Sequence, residues 1–215
     1  MRTAATVASF LLLAAAALPQ GDLKLMHFGF EQAQQSVPRY AFELYENGAG
    51  VYNAPEDGKS AQPKVSGAIR VSPATLQIIF AAKDAILANH CGTKAKNIAD
   101  TGTKTLEYFS EGVKSVCVFN YSDDAKVRDA ASACIAMAET LHVGDQLAHE
   151  RRFDRLAMDA TLDSLIEEVK AGRAIEVQNI APVLQGIVGD ERLMERVRSK
   201  AAHLLESVGG VEAVK

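Results

Sequence analysis

Tyr40-Ala41-Phe42-Glu43-Leu44-Tyr45, followed by Asn47-Gly48 and then Gly50-Val51-Tyr52, is the stretch that decides the fold class. Strand side chains alternate between two faces, and the first run follows that period. Asn-Gly between two such runs favours a tight hairpin turn, because both residues tolerate positive φ. A second hairpin is written further on. Lys104-Thr105-Leu106-Glu107-Tyr108-Phe109 alternates, Ser110-Glu111-Gly112 turns, and Ser115-Val116-Cys117-Val118-Phe119 returns. Between the hairpins, Asn53 to Gln62 reads as a loop, with Pro55, Asp57-Gly58 and Ser60, and Lys64 to Val71 reads as a strand.

Helical signals surround and follow this β-rich half. Ser72-Pro73 supplies an N-cap and a proline at the first helical position. The helix it opens carries Leu76, Ile79, Phe80 and Leu87, with Lys83 as the exception on that face, and Asn89-His90-Cys91-Gly92 ends it. After Tyr121 the chain is helical to its end. Ser122 or Asp123 is expected to cap a helix through Leu141 and out to His149. Asp154 is expected to cap the next, which Gly172 closes. A short helix lies within Asn179 to Val188, with Pro182 in its first turn. Asp190 is expected to cap the last, which carries Leu193, Val197, Ala201, Leu204 and Val208 and stops at Gly209-Gly210. Residues 22–37 show no clear pattern. The expected fold is therefore α+β: a small antiparallel sheet with one packed helix, then a helical C-terminal half. The divisions are 1–21, 22–121 and 122–215, the last two forming one compact unit.

The first 21 residues read as a targeting segment. Arg2 gives a positive start, Phe10 to Leu18 an apolar core, and Pro19-Gln20-Gly21 a polar exit. Ala15 and Ala17 fit the small-x-small rule for cleavage after Ala17. Ala4 to Leu18 is short for a membrane span, and no second apolar stretch of about 20 residues follows, so the cleaved chain should not insert stably in a membrane. Export to a periplasmic or extracellular compartment permits disulfides. There are three cysteines. Cys134 shares a helical face with Val127, Ala131, Ala138 and Leu141, where a thiol acts as a small hydrophobe. That leaves Cys91 and Cys117 to pair.

The 215 residues are 48% hydrophobic and 23% charged, which places the chain among globular proteins and not disordered ones. Its net charge of −4 and lack of a Lys/Arg-rich run give no footprint for nucleic acid. Ala99-Asp100-Thr101-Gly102-Thr103-Lys104-Thr105-Leu106, Cys117-Val118-Phe119-Asn120-Tyr121-Ser122, Arg152-Phe153-Asp154-Arg155-Leu156 and Asn179-Ile180-Ala181-Pro182 resemble a group of uncharacterised secreted bacterial proteins. The resemblance spans most of the mature chain. It implies export from a bacterium and brings no catalytic residue or cofactor with it.

Two constellations carry chemical meaning. His142, Asp145 and His149 fall within about 60° on one helix face and form a reasonable ligand set for a divalent metal. His142 and His149, however, stand two turns apart, about 10.5 Å along the axis, and Gly144 threatens the helix between them. Phe153 also occupies the place where a zinc-protease motif opened by His149-Glu150 needs its second histidine. The other constellation is a pair of stripes. Asp159, Asp163 and Glu167 form an acidic row, and Arg192, Arg196 and Lys200 a basic one. Like charges at i, i+4 disfavour each helix slightly, so the rows either pair across two antiparallel helices, within or between subunits, or stay two solvated faces whose exposed charges contribute almost nothing. No G-x-S-x-G, S-x-x-K or phosphate-loop motif is present. The expected function is a non-enzymatic protein that binds another protein or itself. The alternatives are a hydrolase with a dispersed, metal-assisted site, and a small-ligand carrier. No cofactor is expected.

Overall fold

The computed structural model describes residues 24–54 apart from Gln34 and Ser36, and residues 65–209. The expected targeting segment, most of the expected loop up to Gln62, and Gly210 lie outside the described residues. Six strands form one fully antiparallel sheet: β1 (Leu25–Glu31), β2 (Arg39–Tyr45), β3 (Ala49–Ala54), β4 (Val65–Arg70), β5 (Thr103–Ser110) and β6 (Val113–Phe119). Their spatial order is β4-β3-β2-β1-β5-β6. The chain belongs to the α+β class, with a helical C-terminal half.

Both expected hairpins form. Gly48 takes φ +83° in the first, and the Asn47 side chain accepts a hydrogen bond from the Ala49 amide at 3.0 Å. In the second, Glu111 and Gly112 both adopt positive φ, which matches a two-residue turn to the twist of its strands. Asn53 and Ala54 belong to β3 rather than to the loop expected there. The larger correction is β1. Residues 25–31 lie at the centre of the sheet, paired with β2 on one side and β5 on the other. Met26, Phe28 and Phe30 point inward with period two, while His27 and Gly29 face outward and interrupt the apolar signal.

Helices cover one face of the sheet. The stretch read as one helix breaks at Ala81-Ala82 into α1 (Pro73–Phe80) and α2 (Lys83–Leu87), so Leu87 is left exposed. Ser72 caps α1 as expected, accepting from the Thr75 amide. The long helix α3 (Ala125–Phe153) is capped by Asp124, which accepts from the Lys126 and Val127 amides. The expected caps work one step earlier: Ser122 binds the Asp124 amide, and Asp123 binds Thr93 and Lys94. Gly144 does not interrupt α3.

The N-terminal part of α3 packs its small face, including Ala130, Ala131, Cys134 and Ala138, on the aromatic inner face of the sheet. Its C-terminal part, through Leu147, enters a second apolar cluster. Leu162 and Leu165 of α4 (Met158–Lys170), Leu184 and Ile187 of α5 (Ala181–Val188), and Val197 and Leu204 of α6 (Glu195–Gly209) complete it. A single 3-10 turn over Val177–Ile180 precedes α5. Gly172, at φ +69°, closes α4 as expected. Asp154 ends α3 and binds the Ala157 amide instead of capping α4 directly. Asp190 lies five residues before α6, in the turn where the Leu193 amide bonds its carbonyl.

Candidate functional site

At the β4 edge, Asn179 makes a two-way clasp. Its Oδ1 accepts from the Arg70 amide at 2.8 Å and its Nδ2 donates to the Arg70 carbonyl at 2.8 Å. One step on, the Glu176 carboxylate accepts from the Ser72 hydroxyl at 2.6 Å and the Ser72 amide at 2.9 Å. Glu176 holds φ 57°, a left-handed conformation that costs a side-chain-bearing residue roughly 1–2 kcal/mol. Gly144 lets this clasp approach. A Cβ on Gly144 would overlap Ile180 Cγ2, in the 3-10 turn beside Asn179.

At the opposite edge β6 is tied from within. Cys91 and Cys117 stand at disulfide distance, Sγ–Sγ 2.01 Å and Cα–Cα 5.8 Å, as the sequence led us to expect. Cys134 is free and buried, and burial pushes its thiol pKa far up. Just past β6, Asn120 and the segment 99–102 enclose the buried Lys104. Its ammonium donates to the carbonyls of Thr101, Gly102 and Asn120 at 2.8, 3.0 and 3.0 Å. Burial pulls its pKa below the usual lysine value, opposed by Asp100. The acceptors saturate the three N–H groups, so this lysine locks a loop and is not presented to solvent.

The locked loop forms one wall of a cleft of about 580 Å³. Phe30 and Tyr40 make its aromatic floor, ring centroids 5.1 Å apart and 25° from parallel. Ile135, Ala138, Glu139, His142 and Val143 of α3 form the facing wall, and Asp100 and Thr101 the rim. Burial, with Cys134, Tyr52 and Glu139 adding to it, pushes the Tyr40 hydroxyl pKa well above the usual tyrosine value.

The expected His142, Asp145 and His149 set is dispersed. His142 lines this cleft. Asp145 lines a separate small hollow with Tyr52 and Ile180, where desolvation raises its carboxyl pKa and His142 partly offsets the rise. His149 lies against the Phe153 ring, centroids 4.8 Å apart. Among the described residues no group of three His, Cys, Asp or Glu side chains stands where it could hold a metal ion.

The charge stripes meet within the chain. Arg196 binds Asp159 at 3.1 Å, and Lys200 binds Asp159 at 2.8 Å and Asp163 at 2.6 Å. Residues 196 and 200 climb in step with 159 and 163, so the seam is parallel and not antiparallel as expected. The reason is the intervening α5, which returns the chain to the starting end of α4 before α6 begins. Glu167 turns instead to Lys170, and Arg192 to the buried carboxylate of Asp190.

The second face of the sheet carries His27 between Glu43 and Glu107, its cross-strand neighbours. Lys114 pairs with Glu107 at 2.9 Å. Along β6, Val113, Val116 and Val118 are 58%, 40% and 64% exposed. Sequence reading missed the cleft because its walls come from the unread β1, from β2, from the loop before β5 and from α3. No family model matches the chain, and neither does a curated protein or a solved structure. No helix among the described residues is long and apolar enough to cross a membrane.

Proposed function

We propose that this chain is an exported, non-catalytic interaction module of bacterial origin that associates with a second copy of itself along β6. The observation that carries the reading is the bare outer edge of β6 beside its exposed valines. The two-residue turn at Glu111-Gly112 pairs Ser110 with Val113, so the backbone groups of Lys114, Val116 and Val118 point away from β5. No backbone bond reaches them among the described residues. The same residues present their side chains on the uncovered face.

An antiparallel pair centred on Val116 sets each Val116 against its copy and each Val118 against the stem of Lys114. Like charges do not face each other, and the Lys114 ammonium already has Glu107. Such a contact is two-fold and self-complementary, the commonest form of homo-oligomer. Lys114 guards the edge against indiscriminate pairing. The Cys91–Cys117 bond and the apolar N-terminal segment support an oxidising, exported setting.

Sedimentation equilibrium of the mature, disulfide-bonded chain tests the reading. The expected result is a dimer that Val118→Lys converts to a monomer. A monomer at every concentration up to the millimolar range would sink it.

A further inference from the structure

The cleft between the Phe30–Tyr40 stack and α3 has the size of a small-molecule site, within the range of roughly 300–1,000 Å³. Gln32, Gln35, Thr101 and His142 give it neutral polar groups, and Glu139 and Asp100 bring two carboxylates to its wall and rim, while no Lys or Arg lines it among the described residues. Glu139 makes no ion pair among the described residues, and Asp100 uses only one oxygen, toward the Gly102 amide at 2.9 Å. Lys104 stands 5.6 Å from the Phe30 ring centroid and does not line the cleft, with its N–H groups spent on carbonyls. The formal charge carried by the described lining side chains is therefore negative. A second observation is independent of the carboxylates. Tyr40 lines the cleft, and its hydroxyl makes no hydrogen bond among the described residues, yet is not among the polar atoms sealed from solvent. It stands open to an occupant as a donor and acceptor.

We propose that this cleft binds an organic amine: an apolar body seated on Phe30 and Tyr40, with its ammonium group between Glu139 and Asp100. Aromatic faces and carboxylates together are the usual recognition chemistry for such a cation. The Tyr40 hydroxyl supplies a polar contact to the body, and His142 lies along the same wall. Two sources share this chemistry, a free small amine and a basic side chain on another protein.

The test is a chemical-shift titration of the mature, disulfide-bonded chain with four probes. They are phenethylamine, neutral 2-phenylethanol, anionic 3-phenylpropionate, and acetyl-Phe-Lys-amide as the basic side chain. Phenethylamine should bind at least about fivefold tighter than phenylethanol, and phenylpropionate should not bind. Glu139→Gln, on an exposed position that does not threaten folding, should remove that fivefold preference. Tyr40→Phe should weaken phenethylamine and phenylethanol alike. Tighter binding of the peptide than of phenethylamine supports the protein source, and the reverse supports the free amine. Equal affinity for phenethylamine and phenylethanol, or no shift at cleft residues with any probe, overturns the proposal.

Discussion

At the β4 edge, Arg70 gives both its amide and its carbonyl to Asn179, more than a hundred residues away in the chain. At the β6 edge, the outward backbone groups of Val116 and Val118 have no such partner among the described residues, and the strand is held from inside by Cys117 and Lys104. A strand edge can be finished by borrowing polar groups from another element or by anchoring the strand from within. Only the first closes the edge to a further strand. The helical half closes the end of β4 at Arg70, and the covalent tie steadies β6 while leaving its backbone accessible.

The covalent tie should show the largest effect. Replacing Cys91 and Cys117 by Ala should lower stability by about 3–4 kcal/mol, from the loop entropy returned to the unfolded chain. Urea unfolding reads it, and a loss below about 1 kcal/mol would mean that strand pairing and Lys104 suffice to hold β6. At the other edge, Gly144→Ala should force Ile180 away from α3 and loosen the clasp, at a cost of about 1–3 kcal/mol. An unchanged melting temperature would show that the 3-10 turn yields freely.

Asn179→Ala should cost less, about 1 kcal/mol, because water can reach the Arg70 groups it leaves. Its signature is local: hydrogen exchange at the Arg70 amide should quicken while β5 amides paired to β6 keep their rates. A uniform change over the sheet would remove the distinction between the edges.

The helical half adds a pH dependence. Lys200 and Arg196 hold the Asp159 carboxyl pKa below the usual aspartate value of 3.8, and Arg192 and Arg151 do the same for Asp190. A depressed folded pKa means that the stabilisation is complete above 3.8 and fades as the pH falls through the folded values. Denaturation midpoints should therefore stay flat from neutral pH to about 4 and then drop. A decline starting near pH 6 would implicate other groups. Smallest of all, Val118→Lys should change monomer stability by no more than about 0.5 kcal/mol while abolishing the dimer, since it alters only a solvated edge.

Much of the fold was legible wherever its cause is local. Asn47-Gly48 and Glu111-Gly112 need only their own φ angles to turn a hairpin, and Ser72-Pro73 and Gly172 act within one helical turn. The cap of α3 is not the residue expected, because three candidate residues adjoin there. Ser122, Asp123 and Asp124 all carry suitable oxygens, and their different partners separate their roles. β1 was missed because His27 and Gly29 break the apolar run, although Met26, Phe28 and Phe30 keep the strand period. The candidate site was scarcely legible. His142 was singled out for a metal set it does not join, and Tyr40 and Glu139 were not linked to it.

The amino-acid sequence by itself determined the fold class, the two hairpins, the cysteine pair and the existence of two complementary charge rows. Each follows from neighbours a few residues apart or from simple residue chemistry. Tertiary structure alone decided that β1 occupies the centre of the sheet, that the charge rows meet in parallel, and that Gly144 serves as a landing place for Ile180. It alone decided, too, that β4 is clasped at Arg70 and that β6 has no such clasp among the described residues. These outcomes depend on which distant surfaces reach one another once the apolar faces are buried. No periodicity within one segment contains that information.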